Sequence, residues 1–179
     1  MVKPSAEFYE EEFVTGALIP ERWISQALRL KRAGDLLFEA SAADLERFSH
    51  GEKPSTLKNL EMVMPATLLY GMALENALKG RLVHQQPNRI VNGKLRAWPG
   101  GSHNLNVLAD AARVTLSQEE EDLLRRLTQF VLWAGRYPTP RRAEDMRLEQ
   151  LVMPGGFLPM PIDKRERPLY DSLFSRLVA

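Results

Sequence analysis

His103 follows a Gly101-Ser102 turn and precedes a short apolar segment, Leu105 to Arg113. A histidine at that place can serve as a general base, or contact a phosphate near a helix N-terminus. It can equally pin the loop by bonding backbone carbonyls. Glu75 and Lys79 are four residues apart with the acid first, the favourable order for a helical pair. Glu75 also falls on a helical stripe of apolar residues (Leu57, Leu60, Met64, Leu68, Leu78, Leu82), so its carboxylate must face Lys79, His103 or an arginine. Between Lys79 and Arg113 there are six cations and one acid, Asp110, and the stretch also carries Trp98. Such a basic loop with an aromatic can grip phosphates and stack a base; the alternative is a solvated loop that keeps the protein soluble. Arg136 and Tyr137 end a helical stretch, Trp133-Ala-Gly-Arg-Tyr-Pro, where the arginine can hydrogen-bond the last carbonyls or line a pocket with His103.

Composition narrows the chemistry. The 179 residues contain no cysteine and three histidines, His50, His84 and His103, far apart in sequence. That excludes disulfides, Cys-ligated metals and a cysteine nucleophile, and it argues against a histidine metal site. No residue pattern requires a cofactor or a metal. There is no G-x-S-x-G, no H-E-x-x-H and no phosphate-binding glycine loop with its lysine. The formal net charge of +1 gives no overall attraction to polyanions. The first residues lack the apolar run of a secretory leader, and no stretch reaches the roughly 18 apolar residues of a membrane span. The expectation is a cytoplasmic protein with no membrane partner.

The elements that must position these residues read as helices. Residues 1–19 are acidic and then apolar and read as an arm. Pro20 suits the first position of a helix running from about 21 to 40 or on to Phe48, with Trp23, Ala27, Leu30, Gly34 and Leu37 as its stripe. A second helix spans about 56 to 84, and Pro65 predicts a kink or a split near Glu61 to Met64. Residues 85–102 read as loop. Ser102 or Asn104 caps a short helix, and Ser117-Gln-Glu-Glu120 is a capping box for the next, which should stop at Gly135. Residues 141–152 read as a short helix, 153–161 as irregular, and Pro168 opens a last helix. The fold class expected is all-α, a bundle of four to five helices with an irregular Pro/Gly-rich C-terminal segment.

One stretch carries a resemblance. Leu69-Tyr-Gly-Met-Ala-Leu-Glu75-Asn-Ala-Leu-Lys79-Gly, a variable loop, and Gly101-Ser-His103-Asn-Leu-Asn-Val-Leu108 resemble the HEPN superfamily, over residues 60 to 135. The resemblance implies an up-and-down helical domain over 20–140, with an extension over 141–179. It also implies a homodimer, an RNA or nucleotide partner, and a nucleic-acid-linked or defence-related role. Many members of that superfamily are metal-independent ribonucleases with an R-x(4–6)-H motif, whose spacing Arg96 and His103 fit. On that implication His103 is the acid–base and Arg96 or Arg136 steadies phosphate charge, with Glu75, Lys79, Trp98 and Tyr137 as binding residues. Ala97 stands where the family places a polar residue, and Pro99-Gly100-Gly101 breaks any helix between the pair. The alternatives are a helical interaction module without catalysis, in which His103, Glu75 and Arg136 form a structural network, and a bundle that binds a small ligand between its helices.

Overall fold

The computed structural model describes residues 5–53, 57–137, 142 and 160–179. They form six α-helices: α1 (Ala6–Ala17), α2 (Pro20–Ser49), α3 (Val63–Gln85), α4 (Leu105–Ala111), α5 (Gln118–Gln129) and α6 (Arg167–Val178). A two-residue hairpin, β1 (Ile90–Val91) with β2 (Lys94–Leu95), is the only sheet among the described residues. The protein is thus an all-α bundle, and its described residues already hold one helix more than the expected upper count. The additional helix is α1, within the segment read as an arm. It is started by Ser5, whose side chain accepts from Phe8 N, and it contains no buried residue.

The two long helices lie antiparallel, and glycines set their approach. A Cβ on Gly80 would stand 3.2 Å from Trp23 Cβ at one end, and one on Gly34 would stand 2.9 Å from the Tyr70 ring at the other. α3 is apolar almost all round, the pattern of a helix enclosed by its neighbours. Tyr70, Ala73, Leu74, Ala77, Leu78 and Leu82 are fully buried there. Each such leucine contributes roughly 1.5–3 kcal/mol of burial. α4, α5 and α6 close over the remaining faces through Leu105, Leu108, Leu124, Leu127, Tyr170 and Leu173. Of the kink or split expected near Glu61 to Met64, the split is found: a 3-10 turn over Leu60–Met62 precedes α3, and Pro65 falls in the first helical turn, where its missing N–H has no partner to lose.

The local signals at the later helices have clear structural counterparts. Ser117 and Glu120 make both bonds of the capping box. Asn104 caps α4 by accepting from Val107 N at 3.2 Å. α5 passes into a π-helical turn over Phe130–Ala134 and ends at Gly135. The stretch read as loop, 85–102, holds the hairpin, because Asn92 and Gly93 both take positive φ (52° and 69°), the geometry of a tight type I′ turn. The readings for residues 143–159, including the irregular Pro/Gly segment, lie outside the described residues.

Candidate functional site

Glu75 and Lys79 lie one turn apart on α3, both buried, at 7% and 6% exposure. Lys79 Nζ donates to Glu75 Oε1 at 2.5 Å. The second carboxylate oxygen faces His103 Nδ1 at 3.1 Å. A carboxylate only accepts, so the proton of this bond sits on Nδ1, and Nε2 is the ring nitrogen left facing away from Glu75. The His103 side chain is 39% exposed, and Nε2 has no protein partner among the described residues. The result is an imidazole held from behind by a buried acid and open in front.

The chain between α3 and α4 is built to deliver that ring. Gly100 and Gly101 take φ of 66° and 71°, and a Cβ on Gly100 would stand 2.8 Å from Val107 Cβ, so the turn closes directly onto α4. Leu105 N donates to Thr128 Oγ1 at 3.0 Å, tying the start of α4 to α5. Upstream, Trp98 packs against two cations, with the Arg89 guanidinium 4.2 Å and Lys79 Nζ 5.3 Å from its ring centroid. Trp23 meets Trp98 edge-on at 5.2 Å and donates its Nε1–H to Ala17 O. Trp98 is therefore a wedge between α2 and the loop, and less available to stack a base than its sequence setting suggests.

Of the seven expected site residues, the structure brings Glu75, Lys79, Trp98 and His103 together. Arg96 is exposed, and its side chain makes no hydrogen bond to His103. Arg136 turns back on its own helix end, with Nη1 donating to Val131 O at 3.4 Å and Nη2 to the Tyr137 hydroxyl at 3.3 Å. Its guanidinium lies 5.2 Å from the Tyr137 ring. Neighbouring Gly135 packs on Leu68, seven residues before Glu75, which is roughly 10 Å along α3. Of the two readings for Arg136, bonding to the last carbonyls of its helix has its counterpart here; its contacts and those of Tyr137 are at the end of the π-turn, beside Leu68, with none to His103. His50 bonds Glu46 O, and no group of three or more metal-ligating side chains occurs among the described residues.

A second polar cluster escapes the sequence reading. Tyr70 hydroxyl donates to Asp35 Oδ1 at 3.1 Å and receives Arg167, whose Nη2 also donates to Asp35 Oδ1 at 2.8 Å. Lys31 Nζ adds ion pairs to Asp35 at 3.0 Å and Asp171 at 2.9 Å. Burial holds the Tyr70 phenol well above its usual range, with Arg167 opposing the shift. Two cations balance two carboxylates, so the cluster ties α6 to α2 and α3 and leaves no charge for a ligand. Lys31 with Asp35 and Arg167 with Asp171 are each four apart and readable as helical pairs; what joins the two pairs spans more than ninety residues.

No family model, curated protein or solved structure matches this chain.

Proposed function

We propose that the chain is a HEPN-like helical module that engages RNA through phosphate, with His103 as the presented group. The observation that carries this reading is the carboxylate-held imidazole with its free Nε2, set in a stretch with no acid between Lys79 and Asp110. With Nδ1–H held by a buried acid, Nε2 can take a proton, and as N–H it can donate to a phosphate oxygen. With neither Arg96 nor Arg136 bonded to it, the arrangement supports binding ahead of cleavage. The expected homodimer would use the half-buried strip of α3, Leu68, Leu69 and Met72, beside exposed Leu132. Phe13, Ile19 and Met160 lie off the main helical stripes and are exposed or half-buried, apolar surface that such a contact would cover.

The test is binding of a short single-stranded RNA at low salt, alongside a cleavage assay, for the wild type and His103→Ala. Weakened binding at unchanged fold supports the reading. Loss of a wild-type cleavage activity extends it to catalysis. A second reading, a structural network in an interaction module, draws on the mutual satisfaction of Glu75, Lys79 and His103. It is favoured if the wild type binds no RNA and His103→Ala only lowers stability.

A further inference from the structure

The hairpin carries an electrostatic cost that the fold does not offset. Ile90 pairs with Leu95 and Val91 with Lys94, and Arg96 N donates to Arg89 O at 2.8 Å, which sets Arg89 directly opposite Arg96. By strand alternation Arg89, Val91, Lys94 and Arg96 share one face. Like charges directly opposite on a hairpin destabilise it. Arg89 is 4% exposed, and among the described residues it has no carboxylate partner. Its Nη1 donates to Gln86 Oε1 and its Nη2 to the carbonyls of Arg96 and Ala97, while Nε is buried without a hydrogen-bond partner among the described residues. A buried cation is ordinarily paired with an anion. Burial, and then the neighbouring Arg96, lower the Arg89 pKa, in keeping with an uncompensated charge. Glu10 of α1 approaches the turn, its Oε1 3.6 Å from where a Cβ on Gly93 would stand, but it forms no ion pair with Arg89, Lys94 or Arg96.

We propose that the Arg89–Arg96–Lys94 face of the hairpin is an anion subsite that takes a phosphate group. Arg96 and Lys94, both exposed, contact it, and buried Arg89 supplies charge from behind while Trp98 holds its guanidinium in place. A phosphate seated there removes the repulsion between the arginines and supplies the missing counter-charge. This subsite deepens the RNA reading, in which one phosphate of a strand occupies the hairpin and another lies before His103. The phosphate chemistry by itself fits a free inorganic anion as well.

The experiment is a titration of the full-length protein with inorganic pyrophosphate at low salt, followed by the backbone amide resonances of residues 89–98. A parallel titration uses a short single-stranded RNA. The expected result is saturable shifts in the hairpin, with Arg96→Gln weakening pyrophosphate binding about tenfold, the loss of one charge-assisted contact, and Glu10→Gln strengthening it. Arg96 is chosen because it is exposed; Arg89→Gln risks unfolding the loop. Absence of saturable hairpin shifts in the wild type overturns the subsite, as does unchanged affinity in Arg96→Gln. If pyrophosphate binds through Arg96 while RNA binds no better than pyrophosphate, the subsite stands for a free anion and the RNA reading falls. If RNA binds and Arg96→Gln leaves it unaltered, the subsite falls and the RNA reading stands.

Discussion

Replacing Lys79 with Met separates a buried ion pair from a surface one. Lys79 and Glu75 side chains are 8% and 9% exposed, and the ammonium is the buried cation bonded to the carboxylate. Methionine keeps most of the aliphatic stem that packs near Trp98, so the change removes charge with little loss of volume. Glu75 is then left with the bond from His103 alone, a ring that is partly in water. Removing one partner of a buried pair typically costs about 3–5 kcal/mol. In a chain of this size that is a fall in melting temperature of roughly 6–20 °C. The double change Glu75→Leu with Lys79→Met removes both charges and should recover most of the loss, since an apolar pair of similar volume is often neutral. Chemical denaturation of the wild type, the single and the double variants measures both. A cost below about 1 kcal/mol for Lys79→Met would show that water reaches the carboxylate and that Glu75 does not need its partner. A double variant as unstable as the single one would show that packing, not charge, is at stake.

Three further outcomes follow from particular contacts. The Tyr70 and Tyr170 phenols are held above the ordinary value of 10.0 chiefly by burial, so the unfolded chain loses those protons first; stability should be full below about pH 10 and fall as pH rises. Tyr70→Phe should flatten part of that alkaline loss in pH-dependent denaturation, at a cost of about 1–3 kcal/mol near neutrality from the lost bonds to Asp35 and Arg167; an unchanged alkaline slope refutes the assignment. Gly71→Ala places a Cβ 2.7 Å from Val131 Cγ2 and 3.2 Å from Leu127 O, so overpacking should outweigh the gain in helix propensity and lower stability by about 1–3 kcal/mol; a more stable variant in thermal melts contradicts the close α3–α5 approach. Ser117→Ala removes the capping box of α5 and should cost about 1 kcal/mol by denaturant titration, while an unchanged midpoint means the cap is idle.

What could be read in the sequence was local. The S-x-x-E box, Asn104 before an apolar turn and Pro20 ahead of a stripe each express a bond or a fixed φ within four residues, and each has its counterpart in the fold. Glu75 was legible as well, because a carboxylate on an apolar stripe demands a donor, and the loop from 85 to 102 had to return His103 to α3. The Asn92-Gly93 hairpin was legible in principle; its signal was submerged among the prolines and glycines of the same loop. What could not be read depends on distant partners. Asp35, Tyr70 and Arg167 meet only after three helices have packed. Arg136 was legible as a donor to the last carbonyls of its helix, which is its bond to Val131 O; the π-turn that ends the helix was not, because sequence periodicity does not announce it. The helix at Ala6–Ala17 buries nothing, so no apolar stripe revealed it.

The account turns on His103 being held at Nδ1 and offered at Nε2. Nitrogen-resolved magnetic resonance of the His103 imidazole, recorded while a short single-stranded RNA is added at low salt, reads both atoms at once. Nδ1 should stay protonated and bonded to Glu75 throughout, while Nε2 gains a proton to donate to phosphate, so that its resonance shifts saturably with RNA and loses its dependence on RNA in 1 M salt. A ring that exchanges freely between tautomers, or an Nε2 signal that RNA at high micromolar concentration leaves unmoved, would contradict it.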